Sequence, residues 1–138
     1  MPEVERGGGV RIHYEARGEG SPLLLTHGYA ATARMWRGQL GSLGQGQRAI
    51  AWDMRGHGHS SSPPEPAAYA VDACVDDMAA VLDAEGAKTA VVGGLSLGGY
   101  VSLAFWIAHP ERVRALVLVD TGPGFRQDAP RDAWNRGV

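Results

Sequence analysis

The residues with the clearest chemical potential are the run Gly94-Leu95-Ser96-Leu97-Gly98. This G-x-S-x-G pattern makes Ser96 a candidate nucleophile when it joins a strand to a helix. An apolar run, Thr89 to Gly93, precedes it, and a mostly apolar helical segment, Ser96 to Ala108, follows. Such a turn strains the serine backbone, small flanking residues avoid collisions, and the helix N-terminus favours developing negative charge. The alternative is a glycine-rich turn of another α/β fold, in which Ser96 only caps the helix.

A second segment, His27-Gly28-Tyr29, follows the apolar run Pro22 to Thr26. A loop in this position supplies one backbone N–H to an oxyanion hole, and the residue after the nucleophile supplies the other. We therefore predict the Tyr29 and Leu97 amides as the two donors. We interpret His27 as a residue that shapes the turn and not as the catalytic base.

A third segment, Asp53 to Ser60, contains two histidines and an aspartate after the apolar run Arg48 to Trp52. A metal site formed by Asp53, His57 and His59 is one interpretation, but further ligands are not evident in the sequence. A structural loop that follows a strand is the prediction, and no metal is predicted.

The surrounding pattern alternates strands and helices. Alternating residues from Val10 to Arg17 predict an antiparallel strand, reached by a glycine turn from a short first strand. A first helix is predicted after Thr32, where Met35, Trp36, Leu40 and Leu43 recur at helical spacing. A second helix is predicted from Val71 to Leu82, with Gly86 as its stop. Two more are predicted from Ser96 to Ala108 and near Asp128 to Asn135. The three apolar runs above and Val113 to Val119 predict strands buried on both faces. The sequence thus predicts an α/β fold with a doubly wound, mostly parallel sheet of about six strands.

The composition is that of one globular domain of 138 residues, 44% of them hydrophobic, with a net charge of −2. Without a run of like charges, nucleic acid and anionic membranes are not predicted as partners. Cys74, as the sole cysteine, has no internal disulfide partner. No secretory signal and no apolar run of about 20 residues is evident, so a cytoplasmic protein is expected.

The blocks LLLTHGY, WDMRGHGHS and GGLSLGGY, in this order and spacing, resemble the α/β-hydrolase family, in particular its single-domain bacterial esterase, lactonase and haloperoxidase-like branch. The resemblance extends from the first hairpin to Val119. It implies Ser96 as nucleophile, the Tyr29 and Leu97 amides as oxyanion donors, and a structural loop from Arg55 to Ser60. The implied reaction is hydrolysis of a small-molecule carboxylic ester or lactone through an acyl-serine, with no cofactor. Serine in place of aspartate at position 96 disfavours haloalkane dehalogenation.

The sequence departs from this family in length, since members run to roughly twice as many residues. They place a helical cap and two further strands, carrying the acid and then the histidine, after the strand that matches Val113 to Val119. We therefore expect residues 1–138 to form a single incomplete domain, truncated after about six strands. The open side of the last strand predicts self-association.

The remaining triad members have only weak internal candidates. Asp120 follows the last strand, where some α/β-hydrolases carry the acid, although an aspartate in such a turn is more often structural. The histidines at positions 13, 57, 59 and 109 are poor candidates for the base. The alternatives to an ester hydrolase are a catalytically inactive fragment, an interaction protein on a hydrolase scaffold, or a half-site that gains its base from another chain.

Overall fold

The computed structural model describes residues 2–137 and contains one six-stranded sheet. In chain order its strands are β1 (Glu3–Glu5), β2 (Arg11–Arg17), β3 (Ser21–Thr26), β4 (Gln47–Trp52), β5 (Ala90–Leu95) and β6 (Val113–Val119). Across the sheet the order is β1-β2-β4-β3-β5-β6. β1 and β2 form an antiparallel hairpin, β2 is antiparallel to β4, and the other pairings are parallel. This confirms the predicted α/β fold and its mostly parallel sheet.

Four α-helices are described within residues 2–137: α1 (Arg37–Leu43), α2 (Val71–Ala84), α3 (Leu97–Ala108) and α4 (Asp128–Arg136). The alternation of side chains along the central strands creates a core on each face of the sheet. Leu24, Ile50 and Val92 belong to the larger core, which α2 and α3 cover. Leu23 and Leu25 point to the opposite face and join the smaller core with residues of α1. Central strands therefore read as continuous apolar runs because both of their faces are buried.

The segment after Thr32 differs from the predicted single helix. The Thr32 hydroxyl accepts the Arg34 N–H at 3.4 Å and caps a short 3₁₀ turn, Ala33–Trp36, which leads into α1. A 3₁₀ turn has three residues per turn rather than 3.6, so it rotates the apolar positions. Ala33 and Trp36 are consequently buried, whereas Met35 is exposed.

The prediction that β6 is buried on both faces is wrong, although its position at the sheet edge agrees with the predicted open side, and the apolar helix α3 is buried on one side only. β6 lies at the edge of the sheet, and its residues Val117, Leu118 and Val119 are exposed. α3 buries one side through residues such as Phe105, but Trp106 is 45% and Ile107 74% exposed. An apolar sequence shows that a strand or helix is suited to burial, but burial also requires a neighbouring element. Within residues 2–137 no strand or helix covers these surfaces.

Candidate active site

Ser96 lies at the junction between β5 and α3, as the sequence pattern predicts. Its φ of 52° and ψ of −116° are unusual for a residue with a side chain. The surrounding backbone is packed so closely that a Cβ at Gly94 or Gly98 would collide with the main chain of Thr26. The turn can therefore form only because glycine occupies both flanks of the serine.

Two backbone amides beside Ser96 are free to bind a ligand. Leu97 is the first residue of α3, where an N–H has no acceptor inside its own helix. Tyr29 lies in the loop after β3, and its N–H donates no hydrogen bond to any described residue. This loop passes directly beside Ser96, because a Cβ at Gly28 would lie 3.8 Å from Ser96 Cβ. That both amides converge on one oxygen position stays a prediction.

A cavity of about 360 Å³ opens in front of Ser96. Its walls are mostly aromatic or apolar, and its lining is Tyr29, Ser96, Leu97, Tyr100, Asp120, Thr121, Gly122, Gly124, Phe125 and Trp134. Cavities with apolar walls and a few polar groups are typical of small-molecule sites. The arrangement places a hydroxyl and two free amides beside space for a small acyl or alkyl group.

Asp120 lies in the same cavity, immediately after β6. Its φ is 44°, and its carboxylate forms no hydrogen bond or ion pair with any described side chain. Within residues 2–137, the non-glycine residues with positive φ are Ala30, Ser96 and Asp120. Ala30 follows Tyr29, which lines the cavity, so all three are at or beside it. Such strain clusters at functional sites, where the surrounding structure maintains it.

The geometry assigns His27 a structural position. It is fully buried, its Nδ1 bonds the Gly28 carbonyl at 2.7 Å, and its Nε2 accepts the Met54 N–H at 3.0 Å. Nδ1 donates to the carbonyl and therefore carries the proton, whereas Nε2 accepts an N–H and carries none, so the ring is neutral. Burial is the main cause that lowers the His27 pKa below its ordinary value. With both nitrogens occupied by the backbone, the ring holds two loops together.

The other four histidines do not line the cavity of Ser96. His13 is buried on β2 and contacts the ring of His59, with 5.1 Å between centroids. His57 packs against the Tyr29 ring at 6.4 Å and borders a separate, neighbouring cavity. His109 follows the last residue of α3, the opposite end from Ser96. Among residues 2–137, therefore, no histidine lines the cavity in front of Ser96.

The loop after β4 is held by two carboxylates. Asp53 accepts the Ala33 N–H at 2.7 Å and the His59 N–H at 2.9 Å. Asp77 of α2 is fully buried and pairs with Arg55 through bonds of 2.6 and 2.9 Å. The hydrogen bonds to Asp77 are the main cause that raises the Arg55 pKa. Both carboxylates thus fasten this loop to its neighbours.

Among residues 2–137, no three His, Cys, Asp or Glu side chains form a group that could hold a metal ion. None of the helices in this part of the chain has the length and apolarity to cross a bilayer.

Thr121, Phe125 and Trp134 are among the lining residues that the sequence analysis did not predict. All of them follow β6. Because β5 and β6 are parallel, their carboxyl ends meet at one edge of the sheet, and this places the segment after β6 beside Ser96. The position of Thr121 just after a parallel strand was a sequence signal that could have placed it at the site. No comparable sequence signal pointed to Trp134 on α4.

Comparisons with known proteins agree with this geometry. The chain is 38% identical over 114 residues to bifunctional epoxide hydrolase 2 of Rattus norvegicus, which covers 82% of the chain and 21% of that protein. It is 40% identical over 124 residues to 2-hydroxymuconate semialdehyde hydrolase of Pseudomonas sp. strain CF600, with 86% of the chain and 44% of that protein covered. The solved structure of Est816, described as an N-acyl homoserine lactone degrading enzyme, has a TM-score of 0.83 and 33% identity, with 97% and 52% covered.

The chain thus spans about half or less of the length of these relatives. Residues 21–136 match the family model for the alpha/beta hydrolase fold. That match includes both loops and the strand-to-helix turn that border the cavity, and the chain belongs to the α/β-hydrolase family.

Proposed function

We propose that this chain carries the nucleophile and oxyanion donors of a serine hydrolase that acts on a carboxylic ester or lactone. The observation that carries the proposal is the strained Ser96 at the β5–α3 junction, which faces an apolar cavity beside two unpaired amides. This is the arrangement required for attack on a carbonyl and stabilisation of the resulting oxyanion.

In the proposed reaction, Ser96 Oγ attacks the carbonyl carbon while a histidine base removes the hydroxyl proton. The negative charge develops on the carbonyl oxygen, where the Leu97 and Tyr29 amides donate to it. The N-terminus of α3 favours that charge. The leaving alcohol then takes the proton from the histidine, and an acyl-serine remains. Water, deprotonated by the same histidine, hydrolyses the acyl-serine and restores Ser96.

For the triad acid we propose Asp120. Its place in the cavity, its free carboxylate and its strained backbone support this role. A carboxylate there would orient a histidine that enters the cavity and stabilise its protonated form. Since no histidine among the described residues lines this cavity, we propose that the base comes from outside residues 2–137. We propose accordingly that residues 1–138 supply only part of a single α/β-hydrolase domain.

The chemistry of Ser96 favours an acyl substrate over an epoxide, although several relatives and solved structures are named epoxide hydrolases. Attack by a serine hydroxyl on an epoxide carbon would form an ether. An ether has no carbonyl carbon for water to attack, so the enzyme would stop after one turnover. An acyl-serine retains a carbonyl and can be hydrolysed. The lactone-degrading activity in the description of Est816 is consistent with this choice.

The test is hydrolysis of p-nitrophenyl acetate by the chain with and without added imidazole, which can replace a missing base. We expect little activity without imidazole, because loss of the base from a serine triad lowers kcat by on the order of a millionfold. With imidazole, the unchanged chain should hydrolyse p-nitrophenyl acetate faster than Ser96→Ala does at the same imidazole concentration. Equal rates for the two proteins would show that Ser96 is not the nucleophile and would leave an inactive or interaction protein as the function.

Robust hydrolysis without imidazole that Ser96→Ala abolishes would instead reveal a base within the chain. His57→Gln and His59→Gln would then be the first variants to assay, since both residues lie on the loop after β4, where the His57 ring contacts the Tyr29 ring.

A further inference from the structure

The pairing of β5 with β6 continues past the last residues of the two strands. The final regular pair is Leu95 with Val119, so the next position of this register places Ser96 opposite Asp120. In a parallel ladder, a residue donates to the residue before its partner and accepts from the residue after it. The Ser96 N–H does donate to the Val119 carbonyl, at 3.0 Å.

The second ladder bond is made by a side chain instead of the backbone. Thr121 Oγ1 donates to the Ser96 carbonyl at 2.6 Å. The Thr121 N–H forms no backbone hydrogen bond within residues 2–137, since Asp120 has a φ of 44° and turns the chain out of the strand. The threonine hydroxyl therefore replaces the amide that the ladder loses at this turn.

The Ser96 carbonyl has a direct connection to the oxyanion site, because it belongs to the same planar peptide group as the Leu97 N–H. In a trans peptide the C=O and N–H point in opposite directions. The Thr121 hydroxyl and the Tyr100 N–H, at 3.1 Å, occupy both acceptor positions of that oxygen. Fixing the carbonyl on one side of the peptide thus aims the Leu97 N–H on the other.

We propose that Thr121 is a positioning residue that aims the Leu97 amide at the oxyanion through the shared peptide group. It also allows Asp120 to leave the strand and line the cavity without loss of the bond that holds Ser96. The inference rests on the proposed function, since the direction of the Leu97 N–H matters only if an oxyanion forms at Ser96. The Thr121 side chain also fits closely against α3, as a Cβ at Gly99 would collide with it.

The experiment compares Thr121→Ser, Thr121→Ala and Thr121→Val with the unchanged chain. Serine and alanine both lack the methyl group and differ by the hydroxyl, whereas valine keeps the branched shape against Gly99 and loses only the hydroxyl. The ligand is phenylboronic acid, which forms a tetrahedral adduct with a serine Oγ and places a boron-bound oxygen in the oxyanion site. Its affinity is measured by calorimetry and boron NMR, and the melting temperature is recorded for every variant.

We expect Thr121→Ser to keep the affinity of the unchanged chain within about twofold, because it retains the hydrogen-bond donor. Thr121→Ala and Thr121→Val should both lose about tenfold or more, approaching the effect of removing an oxyanion donor. The proton–nitrogen signal of Leu97 should shift on adduct formation in the unchanged chain and in Thr121→Ser only.

Equal affinities for the serine and alanine variants would overturn the proposal, as would lower melting temperatures without a change in affinity. Thr121→Val supplies the comparison if the alanine variant does not fold. Absence of any adduct that Ser96→Ala abolishes would overturn the proposed function itself. Adducts that form equally well in all Thr121 variants would overturn the role of Thr121 alone.

Discussion

Acid should disrupt the contact between the loop after β3 and the loop after β4, because the two hydrogen bonds that join them through His27 require a neutral ring. The Nδ1–H of this ring donates to the Gly28 carbonyl, and Nε2 accepts the Met54 N–H. A second proton on Nε2 would face that N–H, so two donors would oppose each other. Burial is the largest cause of the lowered His27 pKa, and the neighbouring His57 lowers it further.

The direction of the pH effect follows from this lowered pKa. Below about pH 6.5, the unfolded chain binds a proton at His27 that the folded chain does not. The free energy of unfolding is therefore at its full value above that pH and falls as the pH is lowered. The slope for one such group is at most about 1.4 kcal/mol for each pH unit, between the unfolded and the lowered folded-state pKa. Glu15, whose pKa the hydrogen bond to Arg37 lowers, contributes only at lower pH, below its ordinary value of 4.5.

The assay is urea unfolding at about pH 8 and about pH 5.5, with His27→Gln and His109→Gln as variants. We expect the unchanged chain to lose stability through His27 on going from the higher to the lower pH. His27→Gln should be less stable by about 1–3 kcal/mol at the higher pH, since two buried hydrogen bonds are disturbed, and should lack that loss. His109→Gln lies at the opposite end of α3 and should keep it. If His27→Gln loses as much stability in acid as the unchanged chain, the argument is refuted.

The other predictions concern the strand-to-helix turn and the open edge of the sheet. Gly98→Ala should remove the Ser96-dependent rate with imidazole and destabilise by about 1–3 kcal/mol, because its Cβ would collide with the Thr26 backbone. Gly41→Ala on α1 meets open space and should stabilise by about 0.4–1 kcal/mol; similar urea curves for both would contradict the packing argument. The exposed apolar edge of β6 should make the chain self-associate, and Leu118→Lys should shift it toward monomer in size-exclusion chromatography with light scattering. A monodisperse monomer of the unchanged chain with a cooperative melt above about 60 °C would count against this.

The strength of the sequence signal differed among the elements that form the site. The strand-to-helix turn at Ser96 was predictable because three neighbouring features indicate the same local geometry. These are the flanking glycines, the apolar strand before the turn and the apolar helix after it. The continuous apolar runs likewise predicted the parallel strands, whose two faces are both buried. The exposure of Met35 was not predictable, since nothing in the spacing of residues 33–43 separates a 3₁₀ turn from the first turn of an α-helix.

The sequence by itself determined the local chemistry of this protein: a hydroxyl held at a tight turn, two loops that follow strands, and a mostly parallel sheet to carry them. Only the tertiary structure decided which groups meet that hydroxyl. Thr121 reaches the Ser96 carbonyl from 25 residues away because β5 and β6 are neighbours, and the five histidines remain away from the cavity although their residue type suits a base. Periodicity describes what one segment is able to bury. Contacts between segments depend on the order of the strands in the sheet and on the direction that the backbone takes after each strand. The positive φ of Asp120 illustrates the second point.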